Sequence, residues 1–150
     1  MSALTFILVV LVAFIAGVAS VVDERQFHRP LVACTLMGFA LGDPTTGIML
    51  GGALELIALG WMNVGAAMAP DSALASTISA VVVIQGHQDI TTGIAIAVPL
   101  AAAGQVLTIF VRTITVFFQH QADNFAKTAN FRGIELMHIS GMVLQGLRVA

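Results

Sequence analysis

The chain has 150 residues, of which 58% are hydrophobic and 9% charged, with a mean hydropathy of +0.97. Soluble domains carry about 25% charged residues, so this composition excludes a water-soluble globular domain and calls for an integral membrane protein. Six Lys and Arg against eight Asp and Glu give a net charge of −2, which offers no basic surface to nucleic acid, and the single Cys34 excludes a disulfide framework.

The length suits one domain over residues 1–150, and ~20 residues per crossing allows roughly four to six spanning or half-spanning segments. "LTFILVVLVAFIAGVASVV", Leu4–Val22, is too long for a signal-peptide core and has no Lys or Arg before it, so it reads as a retained transmembrane helix. "DERQFHRP", Asp23–Pro30, is the densest charge cluster and belongs at a headgroup boundary or in water. "LVACTLMGFALG", Leu31–Gly42, is apolar but short, which suits a half-helix or re-entrant segment, with Cys34 as a small buried hydrophobe.

"DPTTG" then starts a helix, with Asp43 as cap and Pro44 at the first helical position. The spacing predicts that this helix runs to about Ala69, where Pro70 breaks it and Asp71 or Ser72 caps the next piece, Ala73–Ile84. A polar link, Gln85–Asp89, leads into the longest apolar run, Thr91–Phe118, which Pro99 is expected to kink or divide. "QHQADNFAKTANFRG" reads as a surface loop or short interfacial helix, and "IELMHISGMVLQGLRVA" as a helix cut short. "DPTTGI" at Asp43–Ile48 returns as "DITTGI" at Asp89–Ile94; either an internal repeat or two similar helix caps produces that echo. No Lys or Arg occurs between Arg29 and Arg112, so the positive-inside rule places "DERQFHRP" and the Lys127/Arg132 segment on the cytoplasmic side and the N-terminus outside.

Within the apolar stretch "GGALELIALGWMN", Glu55 is the residue that asks for a reason. An acid at membrane depth costs at least ~2.5 kcal/mol on the insertion scale and marks a site by default; the plainer reading is a protonated or paired structural Glu. Gly47, Gly51 and Glu55 share a helical stripe, and Gly47–Gly51 is a GxxxG that admits a close neighbouring helix. Asn63 follows Glu55 at roughly 12 Å along a helix and about 80° round it, so one cavity could see both with Trp61 at its rim. Arg112 could partner Glu55, although its place about 9 Å before Phe118 favours snorkelling to the interface.

Gln105, Thr108 and Arg112 make a polar seam for a sugar or for a neighbouring helix. Asp71 and the Gln85–His87 link resemble the unwound points where transporters hold substrate; Asp71 equally fits a helix cap, and His87 fits a plain loop better. His28, His87, His120 and His138 lack metal-ligand spacing, and there is no Walker lysine, nucleophile elbow or close catalytic pair, so neither a metal, a cofactor nor a phosphoryl-transfer residue is expected in this chain.

The run "DERQFHRPLVACTLMGFALGDPTTGIMLGGALELIALGWMNVGAAMAPDSALAS", continued by "GHQDITTGIAIAVPLAAAGQVLTIFVRTITVFFQHQAD", closely resembles the IIC subunit of the mannose/fructose/sorbose class of bacterial phosphotransferase systems. The resemblance covers essentially the whole chain, and "LELIALGWMNVGAAMAPD" is its most specific part. It implies an all-α polytopic bundle with broken and re-entrant helices, multi-pass in the bacterial inner membrane. It further implies a IID membrane partner, a higher oligomer, and a hexose of the mannose/glucose class delivered to a cytoplasmic IIAB protein. IIAB phosphorylates the sugar with phosphate relayed from phosphoenolpyruvate through enzyme I and HPr. On that basis Glu55, Trp61, Asn63, Asp71 and Gln105 are the expected sugar-binding residues. Family members run well beyond two hundred residues, so the resemblance also implies a C-terminally truncated form. Two other functions fit the composition: an ion-coupled transporter with Glu55 as proton carrier, and a non-transporting membrane scaffold.

Overall fold

A computed structural model describes residues 2–22, 25–65 and 68–150. Asp23 and Glu24 of the charge cluster, and Ala66 and Ala67 of the most specific motif, lie outside the described residues. The described chain forms α1 (Ala3–Val22), α2 (Pro30–Leu41), α3 (Pro44–Ala58), α4 (Ser72–Gln85), α5 (Ile90–Lys127) and α6 (Phe131–Val149). Of these, α1 and α5 are long and apolar enough to cross a bilayer. With 12, 15 and 14 residues, α2, α3 and α4 reach about 18–23 Å, short of the ~30 Å hydrocarbon core. α2 and α4 are as short as the sequence predicts, whereas α3 is shorter than its expected run to about Ala69.

The first hairpin is built by local chemistry. Gly42 takes the left-handed conformation (φ 87°) that ends α2, and the Asp43 carboxylate accepts the Thr46 N–H at 3.1 Å to start α3. The GxxxG then works inside the chain itself. A Cβ on Gly47 would lie 2.5 Å from the Cys34 carbonyl oxygen, and one on Gly51 would lie 2.9 Å from that of Pro30, so α3 rests directly on the α2 backbone.

At the centre stands α4, which Asp71 caps through the Leu74 N–H at 3.2 Å. Its small side chains, including Ala73, Ala75, Ser76 and Ala80, are buried against the helices around it. The second hairpin, α4–α5, repeats the close-approach glycine of the first. Gly93 follows Asp89 as Gly47 follows Asp43, and its missing side chain leaves room for Val83 of α4, 2.5 Å from where a Cβ would sit. Asp89 makes no side-chain capping bond, so the two motifs share the close-approach glycine more than the cap.

Two boundaries differ from the sequence expectation. α3 stops at Ala58, and the chain from Leu59 to Pro70 is irregular where described. α5 passes through Pro99 as one helix and continues across "QHQADNFAK" to Lys127, where a loop or interfacial helix is predicted. At 38 residues α5 is about 57 Å long, so it outreaches the hydrocarbon core and its polar end needs no apolar side chains.

Candidate functional site

Where α3 gives way to irregular chain, a cavity of about 370 Å³ opens between that segment and α1, α5 and α6. Cavities of this size fall in the range of small-molecule sites. Trp61, Asn63 and Asp71 line it; Glu55 and Gln105 do not, although each braces part of its surroundings.

The irregular segment is held by named bonds. The Ala69 N–H donates to Asn63 Oδ1 at 2.8 Å, the Gln105 amide donates to the Met68 carbonyl at 2.8 Å, and the Asp71 N–H donates to the Ala101 carbonyl at 3.0 Å. Gln105 therefore anchors the loop from α5, while Asn63 keeps its amide N–H groups free of this brace. Asn63 is exposed and Trp61 half-buried, so both present to the cavity the kind of donors and flat apolar surface that sugars use.

Asp71 organises the inner wall. One carboxylate oxygen caps α4, and the other meets Arg148 from α6 in an ion pair whose side chains are 2% and 5% exposed for Arg148 and Asp71. Arg148 also donates to Thr108, and to Ser20 of α1 at 3.1 Å. α5 can pass this close because Gly104 faces Asp71, and a Cβ there would lie 2.8 Å from the aspartate Cβ. Four helices thus converge on one ion pair. Arg148 carries the same sequence signal as Arg112, a lone cation inside an apolar run ("MVLQGLRVA"), but its partner lies 77 residues away.

Glu55 is engaged elsewhere. Arg29 Nε donates to it at 2.6 Å, and its second oxygen accepts the Leu31 N–H at 3.1 Å. α2 begins at Arg29–Pro30 without a capping side chain of its own, so Glu55 caps it from α3 and pairs with the residue before its first turn. Arg112 is not its partner; that guanidinium lies at the cavity edge and donates to Met68 Sδ at 3.4 Å.

The pair is partly open, with side chains 29% and 19% exposed. Glu55→Gln keeps an acceptor for Leu31 but loses the charge. It should lower stability by about 1 kcal/mol, since solvent screens part of the attraction. Thermal unfolding in detergent checks this, and a fall as large as that of a helix-core deletion would contradict the partly exposed geometry. His87 at the α4–α5 link is exposed and adopts a left-handed backbone (φ 48°), away from the cavity lining.

Comparison with known proteins adds the following. The family model described as "PTS system sorbose-specific iic component" matches residues 3–150. The fructose permease IIC component of Bacillus subtilis (strain 168) is 66% identical over 99% of this chain and 55% of its own length. The sorbose-specific EIIC component of Klebsiella pneumoniae is 65% identical over 99% of this chain and 56% of its own. The mannose-specific EIIC component of Escherichia coli (strain K12) is 63% identical over 98% and 55%. The chain therefore spans about half the length of the curated relatives it matches. A solved structure, the cryoEM structure of the mannose transporter ManYZ with microcin E492, superposes with a TM-score of 0.96 at 62% identity, covering 99% of this chain and 60% of that one.

Proposed function

The chain belongs to the sorbose-specific IIC component family of phosphotransferase systems, and from that premise we propose that it is the permease subunit that takes a hexose across the bacterial inner membrane for phosphorylation by a cytoplasmic IIAB partner. The observation that carries this reading is the polar cavity beside a broken helix, in a chain otherwise poor in polar groups. Asn63 and Trp61 meet the sugar, through amide hydrogen bonds and an aromatic face. Asp71 shapes the wall through Arg148, while Glu55 and Gln105 act from behind, fixing α2 and the irregular segment.

The identity of the hexose is set by cavity detail. Relatives named for fructose, sorbose and mannose lie at 66%, 65% and 63% identity, too close together for overall similarity to choose among them. The exposed apolar faces of α1, α5 and α6, with Phe6, Val106, Phe110, Phe117, Leu136 and Leu147, supply surface for lipid and for a IID subunit in a multi-pass, oligomeric assembly. In this reading the Lys127/Arg132 end lies in the cytoplasm.

The test is phosphoenolpyruvate-dependent uptake of labelled mannose, fructose and sorbose into vesicles that carry this chain with IID, IIAB, enzyme I and HPr. Accumulation of one of them as its phosphate is the expected outcome. Accumulation of free sugar driven by an ion gradient would replace the reading with ion-coupled transport. Assembly with IID but no uptake of any kind would make the chain a scaffold.

A further inference from the structure

The cavity continues past Arg112. A second space of about 730 Å³ between α5 and α6 shares Ser20, Val21, Arg112 and Gln145 with the first, so the two meet at those residues. On α5 its polar wall is Arg112, Thr115 and Gln119, spaced three and four apart on one helical face; on α6, His138 and Gln145, seven apart, do the same. No carboxylate is among the residues described as lining this groove, in a chain where acids outnumber bases. The groove lies toward the end of α5 that outreaches the hydrocarbon core, so a charged ligand can reach it from water.

The donors at the junction are largely unspent. Of the three arginines that line the first cavity, Arg29 is held by Glu55 and Arg148 by Asp71. Arg112 has only the Met68 thioether as a partner among the described residues, and a thioether is a weak acceptor. Gln145 is 7% exposed, yet its side-chain amide bonds to no described residue while lining both spaces. A guanidinium fork and an amide that line the same two spaces, where the one carboxylate among the described lining residues, Asp71, is already paired with Arg148, match the oxygens of a phosphoryl group.

We propose that the Arg112–Gln145 junction binds the phosphoryl group of a hexose phosphate, with the sugar ring toward the first cavity and the anion toward the groove. This rests on the hexose-permease reading and deepens it: the route that admits the sugar also has a station for its phosphorylated form. The same phosphoryl chemistry could be met by a lipid headgroup, and the experiment separates the two sources.

The measurement is calorimetric titration of the assembled membrane complex carrying this chain, in nanodiscs of neutral lipid, with mannose, mannose 6-phosphate and inorganic phosphate. Mannose 6-phosphate should bind more tightly than mannose by about tenfold, the weight of one charge-assisted contact, and inorganic phosphate should compete with it. In Arg112→Gln, and in Gln145→Glu, which sets a negative charge at the junction, the ratio of the two affinities should fall to one or below. Equal binding of the two sugars by the wild type, or a ratio unmoved by either variant, overturns the proposal and leaves the hexose reading standing. Binding of neither sugar overturns the proposal, while the hexose reading then stands or falls on the uptake of fructose and sorbose. If soluble phosphate fails to compete and only anionic lipid alters the thermal response of Arg112→Gln relative to wild type, the arginine serves a headgroup and the proposal falls.

Discussion

Asp71→Ala should destabilise the folded protein by about 3–5 kcal/mol, because it leaves the Arg148 guanidinium buried without its counter-charge. Both side chains of the pair are almost fully enclosed, so water cannot take the place of the lost carboxylate. Arg148 Nε already has no hydrogen-bond partner among the described residues, which leaves the cation little with which to compensate. The same substitution strips the cap from α4, a further loss of about 1 kcal/mol that overlaps with the first.

Two more variants divide these contributions. Asp71→Asn retains a capping oxygen and removes only the charge, so most of the loss should remain. Asp71→Ala combined with Arg148→Met removes both charges, and replacement of a buried pair by apolar groups is often neutral. The double variant should therefore be more stable than either single one. Thermal unfolding of detergent-solubilised protein, followed by size-exclusion, reads all four. Single variants that melt with the wild type would show that the four-helix convergence on the Asp71–Arg148 pair is not formed in the protein.

The contrast between Asp43 and Arg148 shows what one sequence reveals. Asp43–Pro44 and Pro70–Asp71 announce helix starts within a few residues, and α3 and α4 begin where those signals place them. The end of α3 is less legible. "LGWMNVGAAMA" is apolar enough to extend a helix, and the irregular segment that replaces it is anchored from α5, far away in sequence, as well as by its own Asn63. At α5 the error runs the other way. Hydropathy marks where apolar side chains stop being needed, whereas the backbone hydrogen bonds continue to Lys127. The cavity was half legible: Trp61, Asn63 and Asp71 stand out by residue type, and all three line it. Its other essential members, Arg148, Ser20 and Gln145, come from two terminal helices, and no short-range spacing ties them to Asp71.

A pair of alanine substitutions on α3 should move stability in opposite directions. Gly52 has nothing within 4 Å of where a Cβ would stand, so Gly52→Ala gains only helix propensity, up to about 1 kcal/mol. Gly47 sits five residues earlier, and a Cβ there would meet the Cys34 carbonyl oxygen at 2.5 Å and the Gly38 Cα at 3.0 Å. Both are backbone atoms, so no rotamer change relieves the contact, and α2 and α3 must separate. Overpacking of this kind costs typically about 1–3 kcal/mol; the propensity gain is common to both variants, so they should differ by about that overpacking cost. The separation also reaches function, since Glu55 on α3 caps α2 and Pro30 at the start of α2 lines the cavity. Gly47→Ala should therefore weaken hexose uptake more than Gly52→Ala does when both are expressed to the same level in membranes. Equal melting temperatures for the two would mean that the α2–α3 hairpin is not closed on its glycines, and the cavity wall built on that hairpin would have to be redrawn.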